Sequence, residues 1–147
     1  MEQTFHMLLY RAFHAQSHYL RRCLGEIGLE IGQPKLMTYL ETHGPCRQCE
    51  LADYFEIDSA AVSRMLDSLE KGGFITRKID EENRRSNLIA LTERGRQAQR
   101  KWQDHCRDME NKMLRGFCEE ERACFADYLF RAYQNFRDGK EEETCGI

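Results

Sequence analysis

Proline and long apolar runs are both scarce in this 147-residue sequence. Only Pro34 and Pro45 occur, so long uninterrupted helices are possible. No window reaches the ~18 consecutive apolar residues of a membrane span, because His6 and Arg11 interrupt the first apolar cluster. No signal peptide is visible either. We therefore expect a cytoplasmic protein without a membrane partner.

The sequence patterns of common catalytic sites are also missing. There is no glycine-rich phosphate loop, no nucleophile elbow and no His-Glu-x-x-His motif. Aspartate and glutamate pairs occur only as helix-surface charges. We therefore predict no enzyme activity, no catalytic residues and no cofactor.

What the sequence does contain is enough apolar material for one domain with its own core. Hydrophobic residues make up 41% of the chain, which excludes general disorder. The net charge is −3, but the segment Ser59–Arg100 carries nine basic and six acidic residues. An acidic protein with a basic middle can still bind a polyanion locally.

Seven cysteines form an odd set that cannot pair completely within one chain. Reduced, buried thiols are the default inside a cell. The spacing His43-x-x-Cys46-x-x-Cys49 leaves two other interpretations open. Two thiols near a helix N-terminus can oxidise reversibly, and with His43 they offer three zinc-type ligands. No second Cys-x-x-Cys pair exists, so Cys46 and Cys49 are candidate redox residues and no metal site is assigned.

Hydrophobic spacing predicts six helices and one β-hairpin. The helices span about residues 2–27, 33–42, 48–55, 59–71, 93–115 and 119–137. The strands span 74–79 and 87–91, around a charged turn. The third and fourth helices have the proportions of a helix-turn-helix, and the hairpin after them has those of a wing.

The predicted fold class is therefore mainly α with a small β-hairpin wing: a winged helix-turn-helix flanked by helices. The end regions have more apolar surface than the middle can cover, which favours a two-fold dimer. The predicted organisation is an N-terminal dimerisation helix (1–32), a DNA-binding winged helix-turn-helix (33–92), C-terminal dimerisation helices (93–137) and an acidic flexible tail (138–147).

Several sequence runs together resemble the MarR family of bacterial transcriptional regulators. They are Gly44-Pro45, Glu50-Leu51-Ala52, the run Val62–Ile75 and the hairpin Arg77–Gly95, and the resemblance covers about 29–100. It implies a cytoplasmic homodimer that binds a pseudo-palindromic operator in double-stranded DNA. Members usually repress genes, and they release DNA on binding a small, often aromatic effector or on cysteine oxidation.

The same resemblance places the fourth helix in the major groove and the wing in the minor groove. The predicted DNA-binding residues are Gln48, Ser59, Ala60, Ser63, Arg64, Arg84 and Arg85. Two departures from the family pattern stand out. Asn83 replaces the wing aspartate, and Arg47 replaces the Ser/Thr cap of the third helix, where it either reaches a phosphate or is a surface arginine.

The resemblance also suggests an effector pocket between the dimerisation and DNA-binding regions. His14, His18 and Tyr39 are its candidate lining residues, although aromatic residues at helical spacing also occur as core. The alternative function is a protein-interaction module that has lost DNA binding. The apolar Ala60-Ala61 pair and Asn83 keep that alternative open.

Overall fold

The computed structural model describes residues 4–82 and 87–144, and within them it contains six helices and one small sheet. The helices are α1 (Phe5–Ile27), α2 (Gln33–His43), α3 (Gln48–Phe55), α4 (Ser59–Lys71), α5 (Glu93–Met113) and α6 (Glu119–Thr144). The strands are β1 (Cys46–Arg47), β2 (Ile75–Ile79) and β3 (Asn87–Leu91). The mainly helical fold class with a hairpin wing is confirmed. The chain divides into two compact units, Met1–Met109 and Glu110–Ile147.

Local signals in the sequence explain where the helices of the first unit end. Gly28 adopts a left-handed conformation (φ 84°) and its N–H donates to Leu24 O, which ends α1. Gly25 lies within α1 and does not end it. The Asp58 carboxylate accepts the N–H of Ala60 at 3.3 Å and caps α4.

The sheet has the antiparallel order β1-β3-β2, with β3 in the centre. β2 and β3 form the predicted hairpin, in which Ile75 pairs with Leu91 and Ile79 with Asn87. β1 was not predicted, because a two-residue strand has no periodicity to read. The predicted wing residues Arg84 and Arg85, with Asn83, lie outside the described residues.

The buried core holds the helix-turn-helix against the sheet and against α2 and α5. Its fully buried large apolar side chains are Leu36, Met37, Leu51, Val62, Leu66, Leu69, Ile75 and Ile89. Each such aliphatic side chain stabilises the fold by about 1.5–3 kcal/mol. Three of them belong to α4, so the helix keeps one face inside and presents the other to solvent.

The N-terminus of α5 packs directly on the backbone where β2 begins. The Thr92 hydroxyl donates to Gly73 O at 2.6 Å and accepts the N–H of Gly95 at 3.0 Å. A Cβ at position 95 would lie 2.0 Å from the carbonyl oxygen of Phe74. Only glycine therefore fits at this point of α5.

In the first unit, the N-terminal half of α1 exposes a series of large apolar side chains. They are Phe5, Met7, Leu8, Leu9, Tyr10 and Phe13. The core takes its α1 contribution from the other end of the helix, at Leu24. Among the described residues, no helix has both the length and the apolar character needed to cross a membrane.

The second unit is dominated by α6. The Glu121 carboxylate accepts the N–H of Cys118 at 2.8 Å at the start of this helix, and Arg122 reaches back to Asn111 Oδ1 at 3.3 Å. The helix runs to Thr144, past the point at which the sequence predicted the start of a tail. Its exposed apolar side chains are Phe125, Tyr128, Leu129, Phe130, Tyr133 and Phe136.

Candidate nucleic-acid interface

The first turns of α4 present the polar groups predicted to read DNA. Ser59, Ala60 and Arg64 are exposed, and Ser63 is half-buried. Gln48 Nε2 donates to both Ser59 Oγ and Ser59 O at 3.2 Å, so it joins the start of α3 to the start of α4. Because Ser59 Oγ accepts this bond, its own hydroxyl proton remains available for another acceptor.

The turn between α3 and α4 is held by backbone geometry. Glu56 has a positive φ of 53°, a conformation uncommon for residues other than glycine. The N–H of Ile57 donates to Ala52 O at 3.1 Å across this turn. Sequence analysis located the break between the helices but not the left-handed residue in it.

Arg77 fixes α4 to the sheet, a role that the sequence analysis missed. Its Nη1 donates to Asp67 Oδ1 at 2.7 Å and its Nη2 donates to Ser63 O at 3.2 Å. The available signal was the two-residue alternation of β2, which puts position 77 on the same face as the buried Ile75. The positive charge of Arg77 is thus compensated by a carboxylate of the same protein, the largely exposed Asp67.

Arg47 is also engaged by an acidic residue. Its Nε and Nη2 donate to Asp80 Oδ2 at 3.1 and 2.9 Å, and this hydrogen bond together with the charge of Asp80 raises the pKa of Arg47. Its backbone N–H donates to Glu50 Oε2 at 2.6 Å. The glutamate half of a capping box is therefore present at α3, while the side chain at the cap position bonds to Asp80 and not to the helix.

A polar groove of about 330 Å³ lies where α3, α4 and the sheet meet. It brings together two of the predicted DNA-binding residues, Gln48 and Ser59. It adds Arg77, which was not assigned to the site, and Arg47, for which a phosphate contact was one of two open interpretations. Its remaining lining residues are Cys49, Asn87 and Ile89. Ala60, Ser63 and Arg64 do not line this groove.

The two candidate redox cysteines lie in different environments. Cys46 is 5% exposed, and burial, with smaller contributions from nearby acidic groups, raises the pKa of its thiol to about 12. Cys49 is exposed and lines the groove. His43, the third candidate ligand, stacks on Tyr39 with ring centroids 4.0 Å apart. In the described part of the chain, no three His, Cys, Asp or Glu side chains are grouped to hold a metal.

The candidate effector residues are divided between two cavities of the first unit. His14 lines a cavity of about 500 Å³, together with Tyr10, Phe13, Ser17, Arg21, Leu24, Ile31, Gly32, Pro34, Lys35 and Trp102. Tyr39 lines another of about 360 Å³, with Pro34, Lys35, Thr38, Thr42, His43, Tyr54, Phe55 and Trp102.

His18 is not among the lining residues of either cavity, and it stacks on His14 at 6.4 Å. Sequence analysis missed Arg21, Lys35 and Trp102. Arg21 and Lys35 look like ordinary surface charges in the sequence, and Trp102 comes from the distant helix α5.

Comparisons with known proteins agree with this architecture. Residues 29–86 match the model of the MarR family. The HTH-type transcriptional regulator BilQ of Clostridium symbiosum is 27% identical over 99% of this chain and 98% of its own length. The uncharacterized HTH-type transcriptional regulator YdgJ of Bacillus subtilis is 31% identical over 76% of this chain and 68% of its own length.

Solved structures show the same fold. A crystal structure of MarR has a TM-score of 0.82 and 27% identity, with 96% of each chain covered. A mutant MarR from E. coli complexed with operator DNA has a TM-score of 0.76 and 20% identity, over 85% of this chain and 90% of that one. Since the family model, the relatives and the fold agree with the helix-turn-helix and wing described above, this chain belongs to the MarR family of transcriptional regulators.

Proposed function

We propose that the chain is a homodimeric, sequence-specific DNA-binding repressor that an effector or an oxidant releases from its operator. The observation that carries DNA binding is the exposed polar face of α4, whose start is fixed by the Asp58 cap and by the Gln48–Ser59 bonds. A helix of this kind fits the major groove. A mutant MarR of E. coli, which has the same fold, was crystallised in complex with operator DNA, and this supports DNA binding by the chain.

Few side chains on α4 can read base edges, so base contacts on this helix would account for only part of the recognition. Arg64 can pair with guanine or phosphate, and Ser59 and Ser63 can donate or accept hydrogen bonds. Ala60 offers only a methyl contact. Specificity therefore depends in part on DNA shape and on the wing, for which Arg84 and Arg85 are the proposed minor-groove contacts.

Dimerisation accounts for the exposed apolar side chains of α1 and, separately, of α6. Phe5 is 73% exposed and Phe136 is 80% exposed in the single chain. A second copy is the simplest cover for such faces in a protein that reads a pseudo-palindromic operator. We assign 33–92 to DNA binding and the helices on either side to the dimer.

The chemistry of the larger cavity favours a small aromatic anion as effector. Tyr10, Phe13 and Trp102 provide apolar and aromatic walls, while Arg21 and Lys35 supply positive charge. Sites for small molecules combine such walls with a few placed polar groups. An oxidative signal would act first at Cys49, because its thiol is exposed whereas Cys46 is buried and protonated at neutral pH.

Fluorescence anisotropy with DNA from upstream of the protein's own gene tests this proposal. We expect tight binding by the reduced protein and an affinity that falls steeply with salt, because phosphate contacts release counterions. If the protein does not bind that DNA, the titration is repeated with an operator obtained by random-sequence selection. No binding after selection would favour the protein-interaction module.

A pair of charge-matched variants localises the contact to α4. We expect Arg64→Gln to weaken operator binding by about 1–3 kcal/mol if it reads guanine, with relaxed specificity at one base pair. Lys101→Gln removes the same charge from an exposed position on α5. Equal losses in the two variants would contradict a specific role of Arg64.

A further inference from the structure

The Arg47–Asp80 ion pair connects the start of the helix-turn-helix to the base of the wing. Arg47 ends β1 and immediately precedes α3, whereas Asp80 immediately follows β2. β1 and β2 lie on opposite sides of β3, and Arg47 pairs through its backbone with Leu88 of β3. The Arg47 side chain therefore bridges from one edge of the sheet to the far strand.

From this geometry we propose that Arg47 and Asp80 are positioning residues for DNA binding: together they fix the wing relative to α4. The proposal rests on the proposed DNA-binding function. It assigns neither residue a DNA contact. The pair instead sets the distance and angle between α4 and the wing, which must enter neighbouring grooves at the same time.

Partial burial distinguishes this pair from the exposed ion pairs of the same unit. The Asp80 side chain is 12% exposed and that of Arg47 is 38% exposed. By comparison, the partners in the Arg96–Glu93 pair are both about half exposed or more. Charge-assisted bonds that are shielded from water hold their geometry better than exposed pairs, which contribute little.

The second oxygen of the same carboxylate shapes the start of the wing loop. Asp80 Oδ1 accepts the N–H of Glu82 at 3.0 Å, while Oδ2 accepts the two Arg47 bonds. At the other end of the loop, Asn87 pairs with Ile79. One carboxylate thus fixes the direction in which the loop leaves β2 and ties that point to α3.

Such a tie improves affinity by reducing the conformational freedom that is lost on binding. A wing that is already aligned with α4 loses less entropy when both reach the DNA. Because Asp80 compensates the charge of Arg47, the pair itself adds little to the attraction for phosphates. A positioning role and a phosphate contact therefore predict different effects of substitutions at Arg47 and Asp80 on operator affinity and on its salt dependence.

The experiment compares Asp80→Asn with Glu81→Gln by operator anisotropy at several salt concentrations. Each variant removes one negative charge, and Glu81 is the exposed neighbour of Asp80. Loss of an acidic group near a polyanion ordinarily strengthens binding. We expect Glu81→Gln to bind as tightly as the wild type or more tightly, and Asp80→Asn to bind about tenfold more weakly. Equal effects of the two substitutions overturn the proposal.

Arg47→Met gives a second, independent test. We expect a loss similar to that of Asp80→Asn, no further loss in the double variant, and an unchanged slope of log affinity against log salt. A phosphate contact at Arg47 would instead lower the slope by about 0.9. That lower slope, or additive losses in the double variant, would overturn the positioning role.

Hydrogen exchange in the free protein separates this proposal from DNA binding itself. If the wild type binds no selected operator, the proposed function fails. The role of the Arg47–Asp80 pair in fixing the wing is then tested by the exchange rates of the backbone amides of 80–82 and 87–91. Faster exchange there in Asp80→Asn than in Glu81→Gln supports the tie, and equal exchange overturns it. Circular dichroism melting verifies that each variant is folded.

Discussion

Cys46 and Cys49 are three residues apart in the sequence but lie in opposite environments. Cys46 points into the core from β1, where burial raises the pKa of its thiol from 9.0 to about 12. Cys49, in the first turn of α3, is exposed. A thiol reacts through its thiolate, so the two residues differ in both access and protonation.

We expect iodoacetamide to label Cys49 and to leave Cys46 unmodified in the folded protein at neutral pH. Peptide mass spectrometry after a timed reaction measures both sites, and labelling in denaturant serves as the control. The pH dependence follows from the same shift. Since the folded pKa of Cys46 lies above 9.0, this thiol stabilises the fold below pH 9 and loses that contribution as the pH rises toward 12. Labelling of Cys46 at the rate of Cys49 would contradict this assignment.

At the scale of single residues, the sequence predicted which side chains belong to the candidate site. It did not predict the partners to which those side chains bond. Gln48 and Ser59 were both expected at the DNA surface, but their hydrogen bond to each other was not. The carboxylate partners of Arg47 and Arg77 are 33 and 10 residues away. Such pairings depend on how strands and helices meet, and no local pattern encodes them.

At the scale of elements, the close contact between α5 and the start of β2 depends on the absence of a Cβ at Gly95. The position of Gly95 against the Phe74 carbonyl leaves no room for a Cβ. Gly25 in α1 is the opposite case, because a Cβ there would have nothing within 4 Å. Both glycines lie inside helices, so alanine raises the intrinsic helix propensity equally at the two positions.

We expect Gly95→Ala to lower the free energy of unfolding by about 1–3 kcal/mol through overpacking against backbone. In contrast, Gly25→Ala is expected to raise it by about 0.5–1 kcal/mol. Urea unfolding monitored by circular dichroism measures both. A stabilised or neutral Gly95→Ala protein would show that α5 does not seat on the Phe74 carbonyl as described.

Helix positions were predictable because caps and breaks coincide with changes in apolar spacing. The bounds of α3 and α4 match the sequence prediction, and the Asp58 cap lies at the start of α4. The strand β1 was missed because it exists only through its pairing with β3. In the second unit, α6 continues to Thr144, since between residues 138 and 144 the sequence contains one glycine, Gly139, and no proline to stop the helix.

At the scale of the whole molecule, the exposed apolar side chains of α1 and of α6 are more than a monomer needs. Scattered apolar residues are normal at a surface, but contiguous sets mark interaction sites. The set on α1 includes residues at helical steps from Phe5 to Phe13. We interpret these sets as parts of the dimer interface.

Charged substitutions in these sets are expected to dissociate the dimer. Phe5→Glu and Phe136→Glu should each shift the protein toward monomer at micromolar concentration, as measured by sedimentation equilibrium, because a buried unpaired charge destabilises the interface. Ile79→Glu is the matched control, since Ile79 is a similarly exposed apolar side chain (70%) at the wing end of β2, outside these two sets. Dissociation by the control, or a wild-type monomer, would contradict the assignment.

The internal pairing of Arg47 with Asp80 and of Arg77 with Asp67 also bears on how the protein searches a genome. Two cations of the helix-turn-helix region are neutralised by the protein's own carboxylates, in a chain whose net charge is −3. Attraction to arbitrary DNA sequences depends on uncompensated cations. For the proposed function, we therefore expect short contacts with non-cognate DNA, which lengthen only where base pairs and groove shape match α4.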